Sequence, residues 1–141
     1  MSEIQKRQET IIEDFSLFED WMTKYEFIID LGKKLSPLED KFKTEENLVY
    51  GCSSPAWIIA EYKDGKLFYK GDGEAIITKG LLYLLFNVIN GHSPKEIYEA
   101  DITFVNDIGL INHLSPTRSN GLMSMIHKVK EIAKKCIKED L

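Results

Sequence analysis

Apolar positions along this chain change period several times, and each change marks an element. Isolated apolar residues among charges from Ile4 to Ile12 predict a short leading helix. Ser16-x-x-Glu19 has the form of a capping box opening a second helix. Phe15, Phe18, Met22, Tyr25 and Ile29 follow at spacings of three and four, which puts them on one face of it. Gly32 and Ser36-Pro37 end that helix, and the charged stretch from Leu38 to Asn47, which has no periodicity, predicts a surface loop. Beyond it the residues become β-formers. Leu48-Val49-Tyr50 reads as a short strand, Ala56 to Tyr62 as a second, and Lys66 to Lys70 as a third that returns through an Asp64-Gly65 turn before Gly71-Asp72-Gly73 breaks it.

The second half is helical again. Ala75 to Asn90 is apolar on nearly every side and predicts a buried helix stopped by Gly91. Gly80 costs helix stability, and a close helix–sheet approach is its expected reason. Ser93-Pro94-x-Glu96 caps a short helix to about Ala100, and one further turn is expected from Asp107 to Leu110. Ser115-Pro116 opens a long final helix with Leu122, Met125, Ile126, Val129, Ile132, Ala133 and Cys136 on one face. The expected fold class is α+β, a small three-stranded antiparallel sheet packed by helices. No repeat or composition shift divides the chain, so residues 1–141 read as one domain.

Composition narrows the function. The 141 residues carry a formal charge of -5, which disfavours a duplex nucleic acid partner because such partners call for an excess of Lys and Arg. The run from Leu81 to Ile89 is too short to span a bilayer, and the first residues show no export signal, so no membrane partner and a cytoplasmic location are expected. With only two cysteines there is neither a CxxC pair nor a zinc-ligand spacing, and in a reducing compartment both should be thiols.

The two thiols differ in their surroundings. Cys136 lies on the apolar stripe of the last helix, where burial is the expected state. Cys52 sits in Tyr50-Gly51-Cys52-Ser53-Ser54-Pro55, a stretch of turn formers between two strands, where Gly51 permits an unusual backbone and Pro55 limits relaxation. Two readings stay open on spacing alone: a loop-borne nucleophile, or a thiol tucked beneath the sheet. No neighbour in sequence lowers its pKa, so activation must come from distant residues or from a partner. Tyr50 and Trp57 are expected to anchor the loop in the core.

Three ordered blocks, Gly51 to Trp57, Gly71 to Leu81 and His113 to Leu122, resemble the SufE family of sulfur acceptors over nearly the whole chain. The resemblance implies an IscU-like fold. It also implies that Cys52, in the position of the family's G-C-x-S-x-x-W cysteine, accepts persulfide sulfur from a SufS- or CsdA-type cysteine desulfurase, the pyridoxal phosphate residing in that partner. A downstream iron–sulfur scaffold complex would receive the sulfur, and a homodimer is among the implied partners, since members commonly self-associate. The family usually places glutamine after the cysteine where this chain has Ser53, and Pro55 is a further departure.

The chain itself then needs no cofactor and reads as a sulfurtransferase-type carrier and activator rather than a standalone catalyst. Arg118, one of only two arginines, is the candidate to pair with an acidic group or stabilise the Cys52 thiolate, and His113, Gly51 and Ser53 are further candidate binding residues. The alternatives are an IscU-like cluster or metal scaffold using Cys52, His113 and His127, or a cysteine hydrolase using Cys52 and His113.

Overall fold

The computed structural model describes residues 2–52 and 54–139. Ser2 opens the first helix, α1 (Glu3–Ser16), through a capping box with Gln5. The second, α2 (Trp21–Gly32), is capped by the Asp20 carboxylate, which accepts from the Thr23 N–H at 2.7 Å. The expected Ser16–Glu19 capping box is therefore not formed. Ser16 is the last residue of α1, its hydroxyl donating back to the Glu13 carbonyl at 2.6 Å. Because two helices meet there, the helical phase resets. Phe15 is buried on α1, Met22 on α2 faces solvent, and α2 buries Ile28, Leu31 and Gly32 instead.

Two 3-10 turns, Asp40–Phe42 and Glu45–Asn47, cross the surface where a loop was expected. The sheet follows. Strands β1 (Ala56–Lys63) and β2 (Lys66–Gly73) pair antiparallel across the Asp64-Gly65 turn, where both residues have positive φ. Register puts Ala56, Ile58 and Ala60 on the same face as Gly73, Gly71 and Tyr69, and this face packs inward. The expected third strand is reduced to a single bridge between Leu48 and Trp57. A 3-10 turn ends immediately before it and the Gly51–Pro55 loop begins immediately after, which leaves no length for a ladder. Gly71-Asp72-Gly73 does not break its strand, because Asp72 is held within it: its carboxylate accepts from the Leu38 and Gly73 N–H groups and faces Lys43 at 3.5 Å.

The second half carries α3 (Ile76–Ile89), α4 (Pro94–Glu99), two single turns α5 (Phe104–Asp107) and α6 (Leu110–His113), and the long α7 (Pro116–Glu139). Helix α3 is central, packing against β2, α1, α2 and α7. Its Leu82, Leu85 and Ile89 are completely buried, each contributing about 1.5–3 kcal/mol by removal from water. Beyond α3, the Asn90 side chain holds the free edge of β2, accepting from the Tyr69 N–H at 2.7 Å and donating to its carbonyl at 3.2 Å. Helix α7 lies on β1 and α4.

Gly80 serves a helix–helix rather than the expected helix–sheet approach. A Cβ there would overlap the Ile28 carbonyl oxygen of α2, and one on Gly32 would stand 2.8 Å from the Gly80 amide nitrogen. The two glycines let the backbones of α2 and α3 touch. Gly80→Ala should therefore destabilise the protein by about 2 kcal/mol or more in urea unfolding, through overpacking that backbone cannot relieve. Gly65→Ala has open space but a φ of 77°, and should cost about 1 kcal/mol. Equal losses would contradict the close-approach account.

Candidate functional site

The Cys52 loop is closed at its base by two backbone hydrogen bonds. The Val49 N–H donates to the Ala56 carbonyl at 2.8 Å, and the Glu74 N–H to the Pro55 carbonyl at 3.1 Å. Between these ties the chain turns through Gly51, whose φ of 101° suits glycine alone among the common residues. Space makes the same demand, since a Cβ on Gly51 would run into the Ser124 hydroxyl on α7. Tyr50 does not anchor the loop as expected. It is 65% exposed, and Trp57 is only half-buried, with the Lys43 ammonium over its ring at 5.6 Å.

Turned in this way, Cys52 is half-buried, with its thiol directed to the start of α7. Sγ lies 3.8 Å from the Gly121 carbonyl oxygen, a long and weak thiol hydrogen bond. A Cβ on Gly121 would stand 3.2 Å from the sulfur, so glycine there is what lets the thiol settle. The pocket around it is lined by Thr78 and Leu81 from α3 and by Thr117, Arg118, Gly121 and Met125 from α7. Its free volume of about 10 Å³ matches one water-sized atom.

The electrostatics combine two opposed effects. Burial pushes the Cys52 thiol above its ordinary pKa, and the Arg118 guanidinium partly offsets this by favouring the thiolate. Arg118 is fixed by donating to the Thr78 hydroxyl at 3.1 Å, which ties the first turn of α7 to the first turn of α3 beside the sulfur. The cation that sequence neighbours do not supply thus arrives from 66 positions along the chain (118 minus 52).

The other candidates are placed elsewhere or outside the described residues. Ser53 falls outside them. His113 does not line the Cys52 pocket; its ring stacks on Trp21 with centroids 4.0 Å apart, and its Nδ1 lies 2.9 Å from the Gly109 carbonyl oxygen. His127 is exposed on α7, 3.7 Å from Glu131. Cys136 is half-buried rather than fully buried, packed against the core at the edge of a groove with Tyr62 and Ile137. Sequence reasoning had missed Thr78, Leu81, Thr117, Gly121 and Met125. Gly121 had left a signal, a glycine in a helix interior, of the same kind that singled out Gly80.

The site and fold together define a small α+β protein that presents one loop thiol beneath a guanidinium. A family model for SufE, described as an Fe-S metabolism associated domain, matches residues 9–133. Two SufE-like proteins, from Rhizobium meliloti and Rhizobium etli, are each 36% identical to this chain. The matches cover 87% and 88% of this chain and 91% and 87% of those proteins, respectively. The solution structure of a hypothetical protein from Thermus thermophilus shares the fold, with a TM-score of 0.77 over 94% of this chain and 96% of that one at 20% identity. The chain belongs to the SufE family, whose domain is associated with iron–sulfur metabolism. Among the described residues no helix is long and apolar enough to cross a membrane.

The raised thiol pKa has a direct kinetic consequence. Alkylation of Cys52 by iodoacetamide, followed by peptide mass mapping, should rise with pH along a profile displaced toward alkaline pH relative to that of a free, exposed cysteine. Arg118→Gln removes the offsetting cation and should shift the profile further toward alkaline pH. A profile that moves the other way would show that the guanidinium does not act on the sulfur.

Proposed function

We propose that this protein accepts persulfide sulfur on Cys52 from a SufS- or CsdA-type cysteine desulfurase, stimulates that enzyme, and relays the sulfur to iron–sulfur cluster assembly. The observation that carries the reading is the single thiol on a two-point-anchored loop, half-buried over Gly121 with Arg118 beside it. Such a thiol is held ready but not freely reactive. Its burial favours the neutral form, which protects it from chance oxidation and alkylation.

Transfer follows thiol–disulfide chemistry. The Cys52 thiolate attacks the outer sulfur of the partner's cysteine persulfide. A new S–S bond forms at Cys52, the donor's S–S bond breaks, and its electron pair leaves with the donor cysteine as thiolate. The terminal sulfur keeps its proton or loses it to solvent, and no external oxidant or reductant is needed. The carbon–sulfur cleavage that generates the donor persulfide belongs to the partner and its pyridoxal phosphate.

The pocket has room for one small atom, so a donor persulfide meets Cys52 either on its half-exposed side or after an outward movement of the loop. Gly51 supplies the backbone freedom for that movement, and the Val49–Ala56 and Pro55–Glu74 ties confine it to the loop. After transfer, the small space under Cys52 gives the added sulfur partial shelter from water. A cluster scaffold is less well supported. It needs about three or four protein ligands. Among the described residues no other cysteine, histidine or carboxylate lines this pocket, and they contain no candidate metal-ligand group of three.

The test is stimulation of a partner desulfurase. Wild-type protein and Cys136→Ser should raise cysteine turnover by the same factor, whereas Cys52→Ser should melt at the same temperature, still bind, and give no stimulation. Stimulation that survives Cys52→Ser would replace the carrier with an allosteric activator.

A further inference from the structure

A second groove lies on a different part of the molecule. Its volume of about 640 Å³ is within the range of small-molecule sites, and it runs between α1, the segment that follows α2, strand β2 and the second half of α3. Three cations line it, Arg7, Lys34 and Lys70, and among the described residues no carboxylate does. On a chain of net charge -5 this is a local reversal of sign. Its walls also carry aromatic surface: Phe68 is 38% exposed, Tyr83 is half-buried, and Phe86 stacks against Tyr69 with centroids 6.1 Å apart.

The Arg7 side of the groove is held in place by hydrogen bonds. Arg7 donates through Nη1 to the Asn87 and Asn90 carbonyls, at 3.2 and 2.9 Å, so its guanidinium is fixed across the end of α3. Asn90 is in turn locked to both backbone groups of Tyr69. The carboxylates near these cations are weakly held. Glu3 pairs with Arg7 at 3.5 Å and Glu61 with Lys70 at 3.3 Å, both in exposed pairs that contribute little and yield readily to a ligand anion. Lys34 is exposed and makes no ion pair with a described carboxylate within 4.0 Å.

We propose that this groove binds a nucleoside phosphate, its phosphates taken by Arg7, Lys34 and Lys70 and its planar base laid against Tyr83 and Phe68. Arginine and lysine recognise phosphate oxygens by charge-assisted hydrogen bonds, and an aromatic wall adds stacking with a base. The site is independent of the reading of Cys52. The Cys52 pocket uses Thr78 and Leu81 at one end of α3, and this groove uses Tyr83, Phe86 and Asn87 further along the same helix. From Thr78 to Asn87 the axis advances about 14 Å.

The experiment titrates the full ¹⁵N-labelled chain with ADP, adenosine and inorganic phosphate, following backbone amide shifts. ADP should shift Lys34, Phe68, Lys70 and Asn87, and should bind at least about tenfold more tightly than either half-molecule. The double variant Lys34→Glu with Lys70→Glu, at two exposed positions, should weaken ADP by about tenfold or more while leaving the rest of the spectrum in place. Tyr83→Leu should weaken ADP but not phosphate. The proposal is overturned if millimolar ADP shifts none of these amides, if phosphate binds as tightly as ADP, or if the charge reversals change nothing.

Discussion

Helix α3 can sit where it does only because α2 and α3 meet backbone to backbone at Gly32 and Gly80. Any Cβ at Gly80 would have to displace the Ile28 carbonyl, so this contact sets the distance between the two helices and, through it, the depth of α3 against β2. The completely buried Leu82, Leu85 and Ile89 convert that placement into stability. The same placement carries Thr78 and Leu81 beneath the Cys52 loop, so the pocket of the thiol inherits its geometry from a helix crossing on the other side of α3.

Three glycines then do separate tasks around one sulfur. Gly51 turns the loop inward through a left-handed backbone, Gly121 leaves room for Sγ on α7, and Gly80 seats the helix that forms the floor. Arg118 completes the arrangement by joining the first turns of α3 and α7 through Thr78. The outcome is a thiol held between two tendencies, with burial favouring the neutral form and a guanidinium favouring the anion. That balance leaves the thiol less ionised than an exposed cysteine and more ionised than burial alone would allow.

Much of this was legible from the residues, and what was not has identifiable causes. The hairpin, the buried α3 and the capped α4 were readable because their signals are local: a turn dipeptide, an apolar run, a Ser-Pro-x-Glu cap. The start of α2 was misjudged because Ser16–Glu19 and Asp20 both resemble caps, and only the Asp20 carboxylate reaches an N–H that needs it. The third strand shrank to one bridge because pairing length is decided by what flanks Leu48 to Tyr50, which β-propensity does not register. At the site, Cys52, Gly51 and Arg118 stood out by residue type and by family resemblance. His113 was a further binding candidate, and it stacks on Trp21 rather than lining the Cys52 pocket. Thr78 and Leu81 fall in a family-like block and Met125 on the apolar face of the last helix, but nothing in the sequence marks them as neighbours of Cys52, which is decided by how α3 and α7 converge.

The central claim is that sulfur resides on Cys52 and nowhere else in this chain. Incubating the protein with a cysteine desulfurase and free cysteine, then trapping and mapping peptides by mass spectrometry, locates that sulfur directly. One added sulfur atom on the Cys52 peptide, with the Cys136 peptide unmodified, is the predicted result. Sulfur on Cys136 with Cys52 unmodified would contradict the account.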